Sequence, residues 1–156
     1  MRSPELIQRN MDLFAYIFLL SQRLQYISDK ILERDSITTK QFLMMAVIEK
    51  AFDHQPGLKE VAEALGTTHQ NVKQMAKQLE KKGFIEMFKD PEDRRVTRLR
   101  TTDYSKEFWN SRAERHTRDV LKMFKDFTDE EIDAMHDQVI NLFNSLEPMY
   151  RELRDQ

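Results

Sequence analysis

The sequence predicts a mainly α-helical chain with one small β-hairpin, in which a helix-turn-helix and its hairpin wing lie between long N- and C-terminal helices. Three observations carry this. The stripes Leu58-Val61-Ala62-Leu65 and Val72-Met75-Ala76-Leu79 share an i, i+3, i+4, i+7 spacing and are joined through Gly66, the signature of two short helices linked by a tight turn. After Gly83 the period shortens in Phe84–Phe88 and Val96–Thr101, two strands separated by a charged tip. Apolar residues recur at helical spacing for about eight turns ahead of this segment, and again behind it, which exceeds the needs of one small core.

Each element has its local signals. Ser3-Pro4-Glu5 opens the first helix with an N-cap, a proline at the first helical position and an acid at the positive end of the dipole. Its stripe runs through Leu6, Leu13, Ile17, Leu20, Leu24, Ile27 and Ile31 until Arg34-Asp35-Ser36 interrupts it. Thr38-Thr39-Lys40-Gln41 has the form of a capping box and starts a helix through Phe42, Met45 and Ile48. Phe52 to Gly57 is a loop, Gly66 closes the first motif helix, and Thr67 or Thr68 caps the second, which ends at Lys81-Lys82-Gly83. From Asp103 a helical pattern returns through Tyr104, Phe108, Trp109, Val120, Leu121 and Phe124; a second capping box, Thr128 with Glu131, then starts the last helix. The expected organisation is a lobe over 37–102, with 1–36 and 103–156 forming a helical dimerisation region.

Composition narrows the function. In 156 residues there are three Gly, four Pro and no Cys, so thiolate metal sites, disulfides and cysteine nucleophiles are excluded within this chain. No phosphate-cradling glycine loop or Gly-x-Ser-x-Gly elbow occurs. The histidines, His54, His69, His116 and His136, show no metal-ligand spacing. Neither an enzyme nor a cofactor site is expected. With no leader pattern and no membrane-length apolar run, a cytoplasmic protein without membrane attachment is the expectation.

Net charge is −2, but its distribution is uneven. Between Thr67 and Arg100 nine Lys and Arg face five acids, a net of +4 that leaves −6 on the rest of the chain. One basic segment on an acidic body suits a DNA reader with a separate oligomerisation region. A reading helix needs polar side chains on the face that enters the major groove. With Val72, Met75, Ala76 and Leu79 turned inward, a 100° step per residue sends Gln70, Gln74, Lys77 and Lys81 outward, with Asn71 and Lys73 on the flanks. Gln70, Asn71 and Gln74 can each pair bidentately with adenine, while Lys73 and Lys77 can meet guanine or phosphate. Thr68 and His69, at the helix start, complete the expected contact set. At the hairpin tip Arg94 is placed for the minor groove, Arg95 and Asp93 can pair to stiffen the wing, and Arg98 and Arg100 can add phosphate contacts. A charged tip also keeps an exposed hairpin soluble, so the tip alone does not decide.

Several strings together resemble the MarR (multiple antibiotic resistance regulator) family, over essentially the whole chain. Ile37-Thr38-Thr39-Lys40-Gln41-Phe42 looks like that family's start of the second helix, and Glu60-Val61-Ala62-Glu63-Ala64-Leu65-Gly66 like its first motif helix. Leu79-Glu80-Lys81-Lys82-Gly83-Phe84-Ile85, then Asp90-Pro91-Glu92-Asp93-Arg94-Arg95 and Thr102, resembles the family's wing. Thr101 stands where the family usually has an apolar residue and Ser105 where it often has Gly. The resemblance implies a transcriptional regulator, a repressor, whose arginine-bearing wing contacts double-stranded DNA. It also implies a small aromatic effector bound between the dimer helices and the lobe. By that analogy Tyr16, Phe18, Met45, Tyr104, Phe108 and Trp109 lie near the effector, although aromatic and Met residues at helical spacing also serve as plain core.

The surplus apolar length at both ends predicts a homodimer with intertwined ends. A two-fold dimer sets two reading helices about 34 Å apart and predicts a pseudo-palindromic site. The alternative reading is a winged-helix adaptor that binds a protein partner, since fold does not fix function.

Overall fold

The structure, a computed structural model, describes residues 3–154. Packing divides the chain into two compact units, Met1–Ser111 and Arg112–Gln156. The first contains α1 (Pro4–Leu32), α2 (Thr39–Lys50), α3 (Leu58–Ala64), α4 (His69–Lys81), β1 (Ile85–Lys89), β2 (Thr97–Thr101) and α5 (Asp103–Asn110). The second contains α6 (Ala113–Met123) and α7 (Asp129–Arg154). This packing boundary is distinct from the functional division expected at 36 and 103.

The caps form where the sequence places them. Ser3 Oγ accepts the Leu6 amide (3.3 Å) and Pro4 follows at the start of α1. Thr38 Oγ1 accepts the Gln41 amide (3.2 Å) while Gln41 Oε1 accepts the Thr38 amide (3.3 Å). Asp29, on α1, adds a third acceptor at the same helix start by taking the Thr39 amide at 2.7 Å. Those amides have no partner within the helix, so each bond removes an unsatisfied donor. Gly66 (φ 62°) and Gly83 (φ 80°) take the left-handed conformation that ends α3 and α4, where any side chain would be strained.

The core of the first unit gathers Met44, Val61, Ala62, Val72, Ala76, Leu79 and Leu99, none with measurable exposure, together with Ile48, Leu58 and Ile85. Both helix-turn-helix stripes turn into this core, with Met75 and Leu65 half-buried at its margin. The wing is a two-stranded antiparallel sheet with Ile85 opposite Thr101, Met87 opposite Leu99 and Lys89 opposite Thr97. Thr101 is half-buried, and Ser105 is buried with its hydroxyl 3.9 Å from Met45 Sδ.

Three boundaries differ from the sequence reading, the first being Val96, which lies outside β2. Phe84 lies outside β1 and packs edge-on to Phe108, with ring centroids 4.9 Å apart. The helical run expected from Asp103 through Phe124 is two helices, broken at Ser111 and Arg112. There the Ser111 hydroxyl donates to the Phe108 carbonyl (2.8 Å).

In the second unit, α7 begins with the expected box: Thr128 Oγ1 accepts the Glu131 amide (3.3 Å) and Glu131 Oε2 accepts the Thr128 amide (2.9 Å). Val139, Phe143, Leu146, Met149 and Leu153 of α7 are exposed in the single chain, as are Leu13, Phe14, Ile17, Leu20 and Leu24 of α1. No helix among the described residues is long and apolar enough to cross a membrane.

Candidate nucleic-acid interface

Helix α4 is fixed from below and presented from above. Its N-cap is Thr68, whose Oγ1 accepts the Asn71 amide (3.2 Å), and Thr67 Oγ1 accepts from Asn71 Nδ2 (3.2 Å). Val72, Ala76 and Leu79 anchor the inner face in the core. At its C-terminal half, Gln78 Oε1 accepts from Gln41 Nε2 (2.9 Å), and Lys82 Nζ donates to the Ser36 carbonyl (2.6 Å). The side chains left outside are Thr68, His69, Gln70, Asn71, Lys73, Gln74 and Lys77, all exposed. One helix face therefore carries the donors, acceptors and cations expected of a groove reader.

The wing tip is organised by Asp90. Its Oδ1 accepts the amides of Glu92 (2.8 Å) and Asp93 (2.9 Å), and its Oδ2 accepts from Arg98 Nε (2.7 Å). The Asp93 amide, then Arg98 and the Glu92 amide hold the Asp90 carboxyl at about 2, well below its ordinary value. Asp93 joins Arg95 through the Arg95 amide (3.0 Å), so the stiffening contact runs through backbone. Arg94 and Arg95 are exposed at the apex, and Arg94 has no ion-pair partner among the described residues.

The other two arginines are engaged within the protein. Arg98 Nη1 reaches Glu60 Oε2 and the Gln55 carbonyl, each at 3.2 Å, in addition to Asp90. Arg100 Nε bonds Glu86 (2.7 Å), and its guanidinium lies over the Phe88 ring. Behind Arg98, Glu60 also takes the Gly57 amide (2.7 Å) and His54 Nε2 (2.6 Å). Hydrogen bonds to Asp53 and then Glu60 raise the His54 pKa.

Residues 37–97 match the family described as MarR. The winged-helix segment is thus similar to that of the MarR family. The transcriptional repressor MprA of Escherichia coli K12 is 31% identical over 80 residues, which are 51% of this chain and 46% of that relative. The match thus spans about half of the curated relative's length. Among solved structures, the MarR protein from Peptoclostridium difficile is similar with a TM-score of 0.78 and 21% identity, over 91% of this chain and 92% of that one. A mutant E. coli MarR complexed with operator DNA has a TM-score of 0.74 and 18% identity, over 88% of this chain and 97% of that one. At these identities the structural likeness establishes the fold.

The six residues expected near an effector are placed in three settings. Tyr16 and Phe18 are exposed on α1, and Met45 is buried core. Tyr104, Phe108 and Trp109 come together around Phe84, with Phe42 5.2 Å from Trp109. None of the six lines the open cleft of about 680 Å³ between α1, α2 and α4, whose wall includes Leu24, Gln25, Lys40, Leu43, Asn71 and Gln74.

Sequence reasoning missed Asp90, Glu60 and His54. Asp90-Pro91 is a turn-initiating dipeptide, and Glu60 is the third residue of a helix starting after Gly57, so both signals were readable locally. The low Asp90 pKa gives a test. Its contribution to wing stability is complete above the ordinary carboxylate value of 3.8 and is lost as pH falls through about 2. The Glu92 and Asp93 amides are therefore expected to keep their protection, relative to intrinsic exchange, above about pH 4, and to lose it near pH 2. Hydrogen exchange followed by NMR reads this directly. His54 acts with the opposite sign: its contribution is present below its ordinary value of 6.5 and fades as pH rises through its raised value.

Proposed function

We propose that this chain is a sequence-specific DNA-binding transcriptional repressor that binds a pseudo-palindromic operator as a homodimer. The observation that carries the reading is the pairing of two surfaces on one lobe. Exposed Gln70, Gln74, Lys73 and Lys77 line one face of α4, and exposed Arg94 caps the wing. A reading helix in the major groove with a wing arginine in the adjacent minor groove uses both. The MprA relative's name and the operator complex of a MarR of the same fold support this assignment.

Dimerisation follows from apolar surface. The exposed apolar residues of α1, and separately those of α7, form faces too extensive to stay in water on a monomer. We assign 1–36 and 103–156 to the dimer interface, with the lobe at 37–102 carrying DNA contact. Release by a small aromatic ligand would require a difference in its affinity for two dimer conformations. The cleft beside α4 is the better-placed site than the six aromatic and Met positions, because Asn71 and Gln74 belong both to its wall and to the reading helix.

Salt dependence tests the reading against a protein-binding adaptor. If the dimer neutralises about 6–10 phosphates, affinity for duplex DNA is expected to fall roughly 10³- to 10⁵-fold between about 50 and 200 mM salt. Fluorescence anisotropy with a labelled duplex measures it. Weak binding with a shallow salt response would favour the adaptor.

A further inference from the structure

The wing is fastened to the helix-turn-helix by one guanidinium that touches three separate pieces of chain. Arg98 lies on β2, yet its Nε meets Asp90 in the wing turn (2.7 Å), and its Nη1 meets Glu60 on α3 and the Gln55 carbonyl in the α2–α3 loop (both 3.2 Å). The backbone repeats the attachment, with the Leu99 amide donating to the Pro56 carbonyl (2.9 Å) and Gly57 bridging to Arg98. Glu60 is itself held by the Gly57 amide and by His54.

From these contacts we infer that Arg98 and Glu60 are positioning residues that set where Arg94 meets DNA, rather than Arg98 being a phosphate contact. The inference rests on the DNA-binding reading above. Two arguments carry it. The first is charge: an arginine already paired with two carboxylates, Asp90 and Glu60, has its single positive charge more than balanced locally, so it is a poor ligand for an incoming phosphate. The second is connectivity. The Asp90 carboxylate that Arg98 grips also receives the Glu92 and Asp93 amides, next to Arg94 in the chain. At the other end, Glu60 sits on α3, whose Val61 and Ala62 share the core with Val72 and Ala76 of α4. The wing tip and the reading helix thus take their positions from a common element. A contact that depends on angstrom-level placement is sensitive to such a brace.

The test is a change whose sign differs between the two roles. Glu60→Gln removes one of the two carboxylates that hold Arg98 while retaining a residue able to cap α3. If Arg98 were a phosphate ligand, freeing it would leave affinity for the duplex unchanged or raised. Positioning predicts the reverse, a fall on the order of tenfold, comparable with loss of one wing contact. The same change made in an Arg94→Ala background is then expected to add little, because the contact being positioned is already gone. Arg98→Lys supplies an independent arm: it keeps the charge a phosphate needs but not the fork that spans Asp90 and Glu60, and it too is expected to weaken binding about tenfold. Thermal midpoints of all variants are recorded at one protein concentration, so that lost binding is separated from lost fold. Wild-type binding with undiminished affinity in both Glu60→Gln and Arg98→Lys overturns this inference alone. Equal losses with and without Arg94 also overturn it. A wild type that binds no duplex overturns the DNA reading, and this inference with it.

Discussion

Leu79→Ala is expected to lower the unfolding free energy by about 2–5 kcal/mol, the cost of emptying a well-packed aliphatic site that cannot fully collapse. Leu79 has no exposure and belongs to the cluster in which α4 meets α3, β1 and β2. Domain stabilities are only about 5–15 kcal/mol in total, so this single truncation removes a large share. Urea denaturation at one fixed protein concentration measures it: the midpoint should fall with little change in slope. Gln70→Ala, on the outer face of the same helix, is the control and should shift stability by no more than about 0.5 kcal/mol. Equal effects from the two would mean that α4 is not seated as described.

Arg94→Ala is expected to do the opposite, sparing the fold and weakening DNA binding. The side chain is exposed at the wing apex, so stability should move by less than about 0.5 kcal/mol. Each inserted arginine is worth about 1–3 kcal/mol, so affinity should fall roughly 5- to 150-fold for each protomer engaged. Preference for a narrow A·T minor groove at the wing positions should relax as well, because that groove's negative potential is what attracts the guanidinium. Anisotropy titrations of wild type and variant at one salt concentration check the affinity. Substituted duplexes check the preference. Unchanged binding would remove the wing from the interface.

What was legible in the sequence was what is local. Thr38 with Gln41, Thr128 with Glu131, and Ser3 before Pro4 signal helix starts within four residues, and each forms its bonds. The motif helices were legible because burial repeats at the helical period, and Val72, Ala76 and Leu79 are buried accordingly. The outward face of α4 followed from the same geometry, and its residues are exposed. What failed to show depends on contacts distant in sequence. The break at Ser111 coincides with Phe108 turning onto Phe84, which periodicity within one stretch does not register. Arg98 reads as a surface cation because its partner Glu60 is 38 positions away, and only the folded chain brings them together. Arg100 likewise reads as a surface cation, and the fold pairs it with Glu86 directly across the hairpin.

The central claim is that this lobe reads DNA sequence as a two-fold dimer, and selection of random duplexes by the purified full chain tests it most directly. The account predicts enrichment of a pseudo-palindrome whose half-sites lie about one helical turn apart. Failure to enrich any sequence at low salt, by protein that is folded and dimeric, would contradict it.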